Sequence, residues 1–148
     1  MNDRDPLAKT ILVFSYGTLR PSLYPHMMKR FGLLSMGKGT LKGPFQMLNL
    51  GAFPGLIEDV RLPNRTIVGE VIGVSDLAQA DRYEGCNYGH PGNLYDRKIV
   101  EVLLENGTPV KTWVYLFNVN EKMHSFDDAG AKMPVVEGGD WATVLGKG

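Results

Sequence analysis

The chain has 148 residues, 43% of them hydrophobic, which suits one globular domain that buries roughly two thirds of its unfolded surface. Sixteen basic residues balance sixteen acidic ones without long runs of either sign, so the composition argues against nucleic acid and anionic membranes as partners. The one cysteine, Cys86, excludes an internal disulfide, and neither a signal peptide nor a membrane-spanning run is visible, so we expect a cytoplasmic protein.

The N-terminal half of the chain predicts strands and one early helix. The first apolar run, TILVFSY, is β-branched and aromatic and ends at Gly17, which is typical of a buried strand. A helical signal follows in YPHMMKRFGLL, where Pro25 suits a first turn. Further on, FPGLIEDV and TIVGEVIGV flank RLPNR, and we expect these two strands to pair as a hairpin.

A short helix is predicted from Ser75 to about Tyr83, with Ser75 capping the exposed N–H groups at its start. The positions that should face the core follow an i, i+3, i+4, i+7 progression and are Leu77, Ala80, Asp81 and Glu84. Two carboxylates therefore share the inward face. We expect Asp81 to be structural and to accept hydrogen bonds from neighbouring groups.

Glu84 has two interpretations. Helix ends fray, so its side chain can turn to solvent or pair with a basic neighbour such as Arg82 or Arg97. In the other interpretation it lines a pocket. Burial without a full charge partner raises the pKa of a carboxyl group, which suits a residue that accepts and returns protons near neutral pH. Glu84 is therefore a candidate general acid and base.

The C-terminal half predicts a second hairpin, formed by RKIVEVLLE and VKTWVYLFNV around the turn NGTP, where Asn-Gly supplies positive φ angles. We expect the tail, DDAGAKMPVVEGGDWATVLGKG, to be mostly irregular, with Trp141 as a packing residue. No repeat or linker divides the chain. Strands outnumber helices, so the pattern indicates one domain over residues 1–148 with a mixed or antiparallel sheet that can curl into a barrel, and a few helices packed outside it.

The segment YGTLR, at the end of the first predicted strand, is a candidate binding loop. Gly17 can adopt backbone angles closed to other residues, which would direct the N–H groups of Thr18 and Leu19 into one concavity suited to a carboxylate. Arg20 would add positive charge at its rim. The alternative is an ordinary turn after a strand, with Tyr16 packed in the core.

Other chemistry finds little support in the sequence. Cys86 and His90 could form a thiol and base pair, but CNYGHPGN is rich in turn formers and a lone cysteine is usually a small buried hydrophobe. The three histidines are widely separated, and no metal-ligand spacing is visible. Motifs for nucleotide phosphates and for a serine nucleophile are also missing. We therefore expect neither a metal nor a cofactor.

Six segments, taken in order, resemble the gamma-glutamylcyclotransferase-like family: VFSYGTLR, VGEVIGV, DRYEG, LYDRKIVEV, WVYLF and GGDW. They span roughly residues 11 to 141, and their combination is more specific than any one motif. The resemblance implies an α+β fold, a small mixed β-barrel with a few packed helices. It also implies a pocket lined by Tyr16, Gly17, Thr18 and Leu19, beside Glu84 as the catalytic residue.

Two residues in LYDR match a recurring Tyr-x-Arg of the family. Tyr95 either lines the pocket through its hydroxyl group or packs as a core aromatic at a strand start. We expect Arg97 to fix the Asp81 carboxylate.

The activity that the resemblance implies is an intramolecular ring closure. The α-amino group of a γ-glutamyl amine or γ-glutamyl amino acid attacks its own side-chain amide, which releases 5-oxoproline and the free amine. Glu84 would transfer the protons, and no cofactor is required. One alternative is a protein that binds a small amino-acid-like ligand in the same pocket without catalysis, and another is an interaction module that uses a surface patch. The leaving amine and the oligomeric state stay open.

Overall fold

The computed structural model describes residues 11–17, 20–23, 25–26, 33–51, 53–84, 95–117 and 135–146, and for residues 82–84 it describes the backbone alone. The strands within this part of the chain are β1 (Ile11–Ser15), β2 (Leu34–Gly43), β3 (Phe45–Asn49), β4 (Pro54–Glu58), β5 (Arg65–Val74), β6 (Tyr95–Leu104) and β7 (Pro109–Phe117). Two helices have defined bounds, α1 (Leu77–Glu84) and α2 (Trp141–Val144). In the segment YPHMMKRFGLL, Pro25 and His26 are helical, and residues 24 and 27–32 lie outside the described residues.

Five strands form a closed barrel in the order β1-β5-β2-β6-β7. Neighbouring strands are antiparallel except where β7 closes the barrel against β1 in parallel, with Val13 as the partner of Trp113. The register of β2 against β5 shifts between Ser35 and Lys38. Such a bulge bends a strand and helps a sheet to close. The architecture confirms the predicted α+β class with a small mixed β-barrel.

The other two strands, β3 and β4, form a separate antiparallel sheet. The predicted hairpin of FPGLIEDV with TIVGEVIGV is therefore wrong, because β4 pairs with β3, whereas β5 pairs with β1 and β2. The reason is β3, which matches β4 along its whole length, from Phe45 opposite Glu58 to Asn49 opposite Pro54. Neither β3 nor the glycine-containing β2 shows a clear alternation of apolar residues, so the sequence does not predict these two strands. Without β3, the nearest predicted partner for β4 is β5.

A tight turn leads from β4 toward β5. The Asp59 carboxylate accepts hydrogen bonds from the backbone N–H of Arg61 and from its guanidinium, at 2.8–2.9 Å. The side-chain bonds from Arg61 are the largest cause of the lowered pKa of Asp59, which falls to about 2. The turn thus redirects the chain from the small sheet to the barrel instead of closing a hairpin.

The second predicted hairpin is confirmed. β6 and β7 pair in an unbroken antiparallel register, from Tyr95 opposite Phe117 to Leu103 opposite Pro109. In the connection, Gly107 has a φ angle of 91° and its N–H donates to the Leu104 carbonyl. This positive φ angle explains the glycine of NGTP, because other residues rarely adopt it.

Helix α1 begins later than predicted. The Asp76 carboxylate accepts a hydrogen bond of 3.0 Å from the N–H of Ala78, so Asp76 and not Ser75 caps the helix. The predicted inward face is confirmed where side chains are described, because Ala80 is buried and Leu77 packs against the core. Along the described part of the chain, no helix is long and apolar enough to span a membrane.

Two clusters of buried side chains form the core. The first core cluster comprises Val13, Leu33, Leu48, Ile57, Ile72, Val74, Ala80, Tyr95, Tyr115 and Phe117. The second core cluster comprises Phe14, Tyr16, Leu23, Leu41, Phe45, Met47, Leu56, Ile67, Val71, Val102, Val114, Val136, Trp141 and Ala142. Each cluster draws on the barrel and on the small sheet, so the two sheets share one interior.

Part of the predicted irregular tail is described, namely residues 135–146. Val135 forms an isolated bridge to Leu48, the N–H of Val136 donates to Met47, and the N–H of Val68 donates to the Gly139 carbonyl. The segment therefore runs across both sheets. Trp141, at the start of α2, is 1% exposed, which confirms its packing role.

Candidate active site

One end of the barrel gathers several predicted site residues, and we call it the mouth. The parallel pairing of β1 and β7 brings the carboxyl ends of both strands to the same end. β6 begins there, because Tyr95 is opposite Phe117 at the end of β7. The mouth is therefore defined by Tyr16, Gly17, Tyr95 and Phe117, together with Pro54 at the start of β4.

Tyr16 is held by the core beneath the mouth. Its ring is 6% exposed in the second core cluster, and its hydroxyl group donates to the carbonyl of Tyr115 and accepts from the N–H of Leu56. These bonds join β1 to β7 and to the small sheet. They fix the point from which the predicted binding loop, residues 16–19, leaves the barrel.

Gly17 is buried against Pro54. A Cβ atom at position 17 would lie 2.8 Å from both Cγ and Cδ of the Pro54 ring. The φ angle of Gly17 is outside the left-handed region, so the sequence-based explanation by special backbone angles is wrong. Close approach of the backbone to a rigid proline ring explains the glycine instead.

The sequence predicts that Arg20 adds positive charge at the rim of the binding loop, and this prediction is wrong. It is 2% exposed, its Nε donates to Glu70 at 2.9 Å, and its Nη1 donates to Asp140 at 2.7 Å. Ser22 also donates to Glu70, through its backbone N–H at 3.1 Å and its hydroxyl group at 2.6 Å. The guanidinium charge is thus compensated inside the protein, because a buried charge requires a partner.

Tyr95 packs as a core aromatic at the start of β6, which is one of its two predicted roles. It is 3% exposed, belongs to the first core cluster, and packs edge-on against Phe117 with ring centroids 5.7 Å apart. Its hydroxyl group donates to the Pro54 carbonyl at 2.9 Å. Pro54 is therefore contacted by Gly17 through its ring and by Tyr95 through its carbonyl, which ties the start of β6 to the end of β1.

Asp81 has the structural role predicted for it. Its carboxylate accepts from Arg97 Nε at 2.9 and 3.1 Å and from the Tyr115 hydroxyl group at 2.6 Å. The expected pairing of Arg97 with Asp81 is confirmed, and the Arg97 guanidinium also lies 4.2 Å from the centre of the Trp113 ring. These contacts anchor α1 to β6 and β7 one turn before Glu84, the last residue of the helix.

Several predicted residues fall outside this geometry. Thr18, Leu19, Cys86 and His90 lie outside the described residues, as does the side chain of Glu84. The two residues that flank Thr18 and Leu19 are joined by a hydrogen bond, because the N–H of Arg20 donates to the Gly17 carbonyl at 3.0 Å. Among the side chains that are described, no three His, Cys, Asp or Glu residues are grouped to hold a metal ion.

Three residues at the site escaped sequence analysis. Pro54 gave no signal, because its contacts come from distant segments. The sequence does carry a signal for Glu70, since a glutamate within the apolar strand VGEVIGV indicates a buried charge that needs a partner. The sequence also carries a signal for Asp140, because an aspartate directly before an apolar run is typical of a helix N-cap. In the structure its carboxylate accepts a hydrogen bond of 3.0 Å from the N–H of Ala142.

The chain matches the family model described as "Gamma-glutamyl cyclotransferase, AIG2-like" over residues 13–143. A Vibrio cholerae serotype O1 protein named "Putative gamma-glutamylcyclotransferase" is 33% identical over 122 residues, which cover 80% of this chain and 92% of that protein.

Solved structures share the fold. The crystal structure of a uropathogenic E. coli-specific protein superposes with a TM-score of 0.62 at 16% identity, covering 93% of this chain and 96% of the other. That of an AIG2-like protein from Mus musculus has a TM-score of 0.59 at 22% identity, covering 75% and 79% of the two chains. The family match runs from β1 to α2 and so includes the whole mouth. On these grounds the chain belongs to the gamma-glutamyl cyclotransferase, AIG2-like family.

Proposed function

We propose that the chain is a cyclotransferase that converts a γ-glutamyl amine or a γ-glutamyl amino acid into 5-oxoproline and the free amine. The observation that carries the proposal is the family match over residues 13–143, which spans the Tyr16–Leu19 loop and Glu84. The name of the Vibrio cholerae relative supports the same class of reaction. The gathering of Tyr16, Gly17 and Tyr95 at one end of the barrel supports a common site for them.

The proposed reaction closes a ring within one molecule. The α-amino nitrogen attacks the side-chain amide carbonyl, so a carbon–nitrogen bond forms at that carbon while the bond to the leaving amine breaks. Glu84 takes a proton from the α-ammonium group, which makes the nitrogen nucleophilic, and gives a proton to the departing nitrogen. Because both reacting groups belong to the substrate, positioning does much of the work, and we propose that no cofactor takes part.

The substrate is positioned in this proposal by the mouth. In this proposal the backbone N–H groups of Thr18 and Leu19 bind the α-carboxylate, because consecutive N–H groups that point into one concavity suit an anion. Tyr95 contributes to the proposed binding site by supporting the mouth from the core, since its hydroxyl group donates to the Pro54 carbonyl. Asp81 holds α1 through Arg97 and Tyr115 and so determines where the helix presents Glu84.

The variant Glu84→Gln tests the acid and base role. Glutamine keeps the size of the side chain but cannot exchange a proton, so turnover should fall roughly 10²-fold to 10⁴-fold while binding of 5-oxoproline persists. Release of 5-oxoproline from a panel of γ-glutamyl amines and γ-glutamyl amino acids measures turnover. Calorimetry measures the binding, and thermal melting checks the fold.

Glu101→Gln is the matched control, because Glu101 is exposed on β6 and the same substitution there should leave turnover unchanged. Wild-type turnover retained by a folded Glu84→Gln protein would refute the catalytic role. If the wild-type protein binds 5-oxoproline but releases none from any substrate of the panel, the enzyme proposal fails and the non-catalytic binding protein is the better reading.

A further inference from the structure

Arg20 lies at the centre of a buried charge cluster formed by Arg20, Ser22, Glu70 and Asp140. The cluster joins three distant parts of the chain: the end of the binding loop, the middle of β5 and the start of α2. Glu70 is opposite Ser15 at the end of β1, so the cluster lies directly beside the loop. Both Arg20 and Glu70 are almost fully buried, whereas the Asp140 side chain is 24% exposed.

The contacts of the cluster satisfy its charges well. Glu70 accepts three hydrogen bonds, one from Arg20 and two from Ser22. The main chain of Arg20 is fixed as well, because its N–H donates to Gly17 and its carbonyl accepts from Leu23 at 3.1 Å. Fully satisfied polar networks hold their members in one arrangement. The Arg20 side chain therefore anchors the C-terminal side of the loop, as Pro54 packs against its N-terminal side.

The C-terminal segment, residues 135–146, places Asp140 in this cluster. Gly139 accepts a hydrogen bond of 2.8 Å from the N–H of Val68 on β5, and the next residue caps α2, whose Trp141 is buried in the second core cluster. Asp140 is thus fixed by its neighbours on both sides. Its Oδ1 accepts from the N–H of Ala142 and from Arg20, so a single oxygen serves the helix and the loop anchor.

We propose that Arg20 is a positioning residue, which Asp140 and Glu70 lock in place so that the two residues flanking the loop centre, Gly17 and Arg20, stay where binding of the substrate α-carboxylate requires them. The substrate part of this inference rests on the proposed function, whereas the loop part does not. Arg20 acts through the loop and not by contact with the substrate. The C-terminal segment is therefore a support for the binding site, although it contributes no residue to the mouth.

Asp140→Ser separates the two tasks of Asp140. Serine is a good helix N-cap, so the bond to the N–H of Ala142 can persist, but its side chain is too short to reach Arg20 as well. We expect hydrogen exchange in the peptide that contains residues 17–22 to accelerate about tenfold, and the KM for a γ-glutamyl substrate to rise about tenfold with kcat changed less than about threefold. Arg20→Lys should give the same pattern, because lysine keeps the charge but cannot bind both carboxylates as a rigid fork.

Glu137→Ser is the matched control in the same segment. Glu137 also pairs with an arginine of the barrel, Arg65 at 3.4 Å, but its side chain is 81% exposed and makes no bond to the cluster that the structure describes. This variant should leave loop exchange and KM unchanged, and an equal effect in both serine variants would overturn the proposal in favour of general loosening of the segment. Unchanged loop exchange in Asp140→Ser, or unchanged KM in that active enzyme, would also overturn it. If wild-type protein shows no turnover while loop exchange accelerates in Asp140→Ser alone, the loop anchor stands and the cyclotransferase proposal fails.

Discussion

At the scale of single residues, the mouth contains a backbone contact so close that position 17 has no room for a side chain. Gly17 lies directly on the Pro54 ring, and Tyr95 donates to the carbonyl of the same proline. A proline ring cannot rotate away as a flexible side chain can. Any residue larger than glycine at position 17 must therefore move either β4 or the start of the binding loop.

We predict that Gly17→Ala weakens both the fold and the site. The new Cβ would lie 2.8 Å from two Pro54 carbons, and relief of this clash should lower the free energy of unfolding by about 1–3 kcal/mol and raise the KM. Urea unfolding and steady-state kinetics measure the two effects. Gly138→Ala is the control, because a Cβ there has no neighbour within 4 Å and its φ angle is ordinary.

Pro54→Ala supplies a second check on the Gly17 prediction. Removing the ring should make room for the new Cβ, so the double variant should lose less stability than the two single variants added together. If the losses simply add, the clash with Pro54 does not explain the glycine.

At the scale of elements, helix α1 depends on its contacts with the rest of the protein, because it is short. The helix has eight residues, too few to be stable alone. Ala80 and Leu77 pack it against the first core cluster, and Asp81 ties it to β6 and β7 through Arg97 and Tyr115. Because Glu84 lies one turn beyond Asp81, the orientation of α1 matters for the proposed chemistry.

We predict that Tyr115→Phe lowers kcat more than it raises KM. The change removes the 2.6 Å hydrogen bond to Asp81 but keeps the ring and the backbone carbonyl that accepts from Tyr16. The free energy of unfolding should fall by about 1.5 kcal/mol, and kcat should fall about threefold to tenfold as α1 loosens. Kinetics and urea unfolding test both values.

Lys98→Gln is a suitable control for Tyr115→Phe. It breaks the bond of Lys98 to Glu58 at 2.8 Å, where the lysine is 53% exposed and the pair should contribute little. A rise of KM as large as the fall of kcat in Tyr115→Phe, or no change in either, would contradict the orienting role of Asp81.

The elements also show how far the sequence could predict the fold. The β6–β7 hairpin and α1 followed from periodicity and turn residues, which are local signals. The pairing of β4 with β3 did not, because β3 shows no clear apolar alternation, although the two strands are neighbours in the chain. The anchoring of Arg20 and the contact of Gly17 with Pro54 did not either, because each joins segments far apart in the chain. The sequence pattern makes the YGTLR loop and Glu84 candidates and the family resemblance adds Tyr95, whereas the roles of Pro54, Glu70 and Asp140 required the fold.

At the scale of the whole molecule, neither sheet has a core of its own. The first core cluster combines Ile57 of the small sheet with Ile72 of the barrel, and the second combines Leu56 with Val71 in the same way. The C-terminal segment adds Trp141 to the second cluster and hydrogen bonds to both sheets. Loss of either sheet would therefore expose the apolar face of the other.

We predict that the chain unfolds in one cooperative transition, because its two sheets cannot be separated without exposing both clusters. The two tryptophans report on different places, since Trp113 packs against the first core cluster and Trp141 belongs to the second. Trp113→Phe and Trp141→Phe each leave one fluorescent reporter. Within each variant, the urea midpoint and slope from tryptophan fluorescence should match those from far-ultraviolet circular dichroism. Separate midpoints for the two signals in either variant would show that the small sheet or the C-terminal segment unfolds independently of the barrel, and would contradict the shared core.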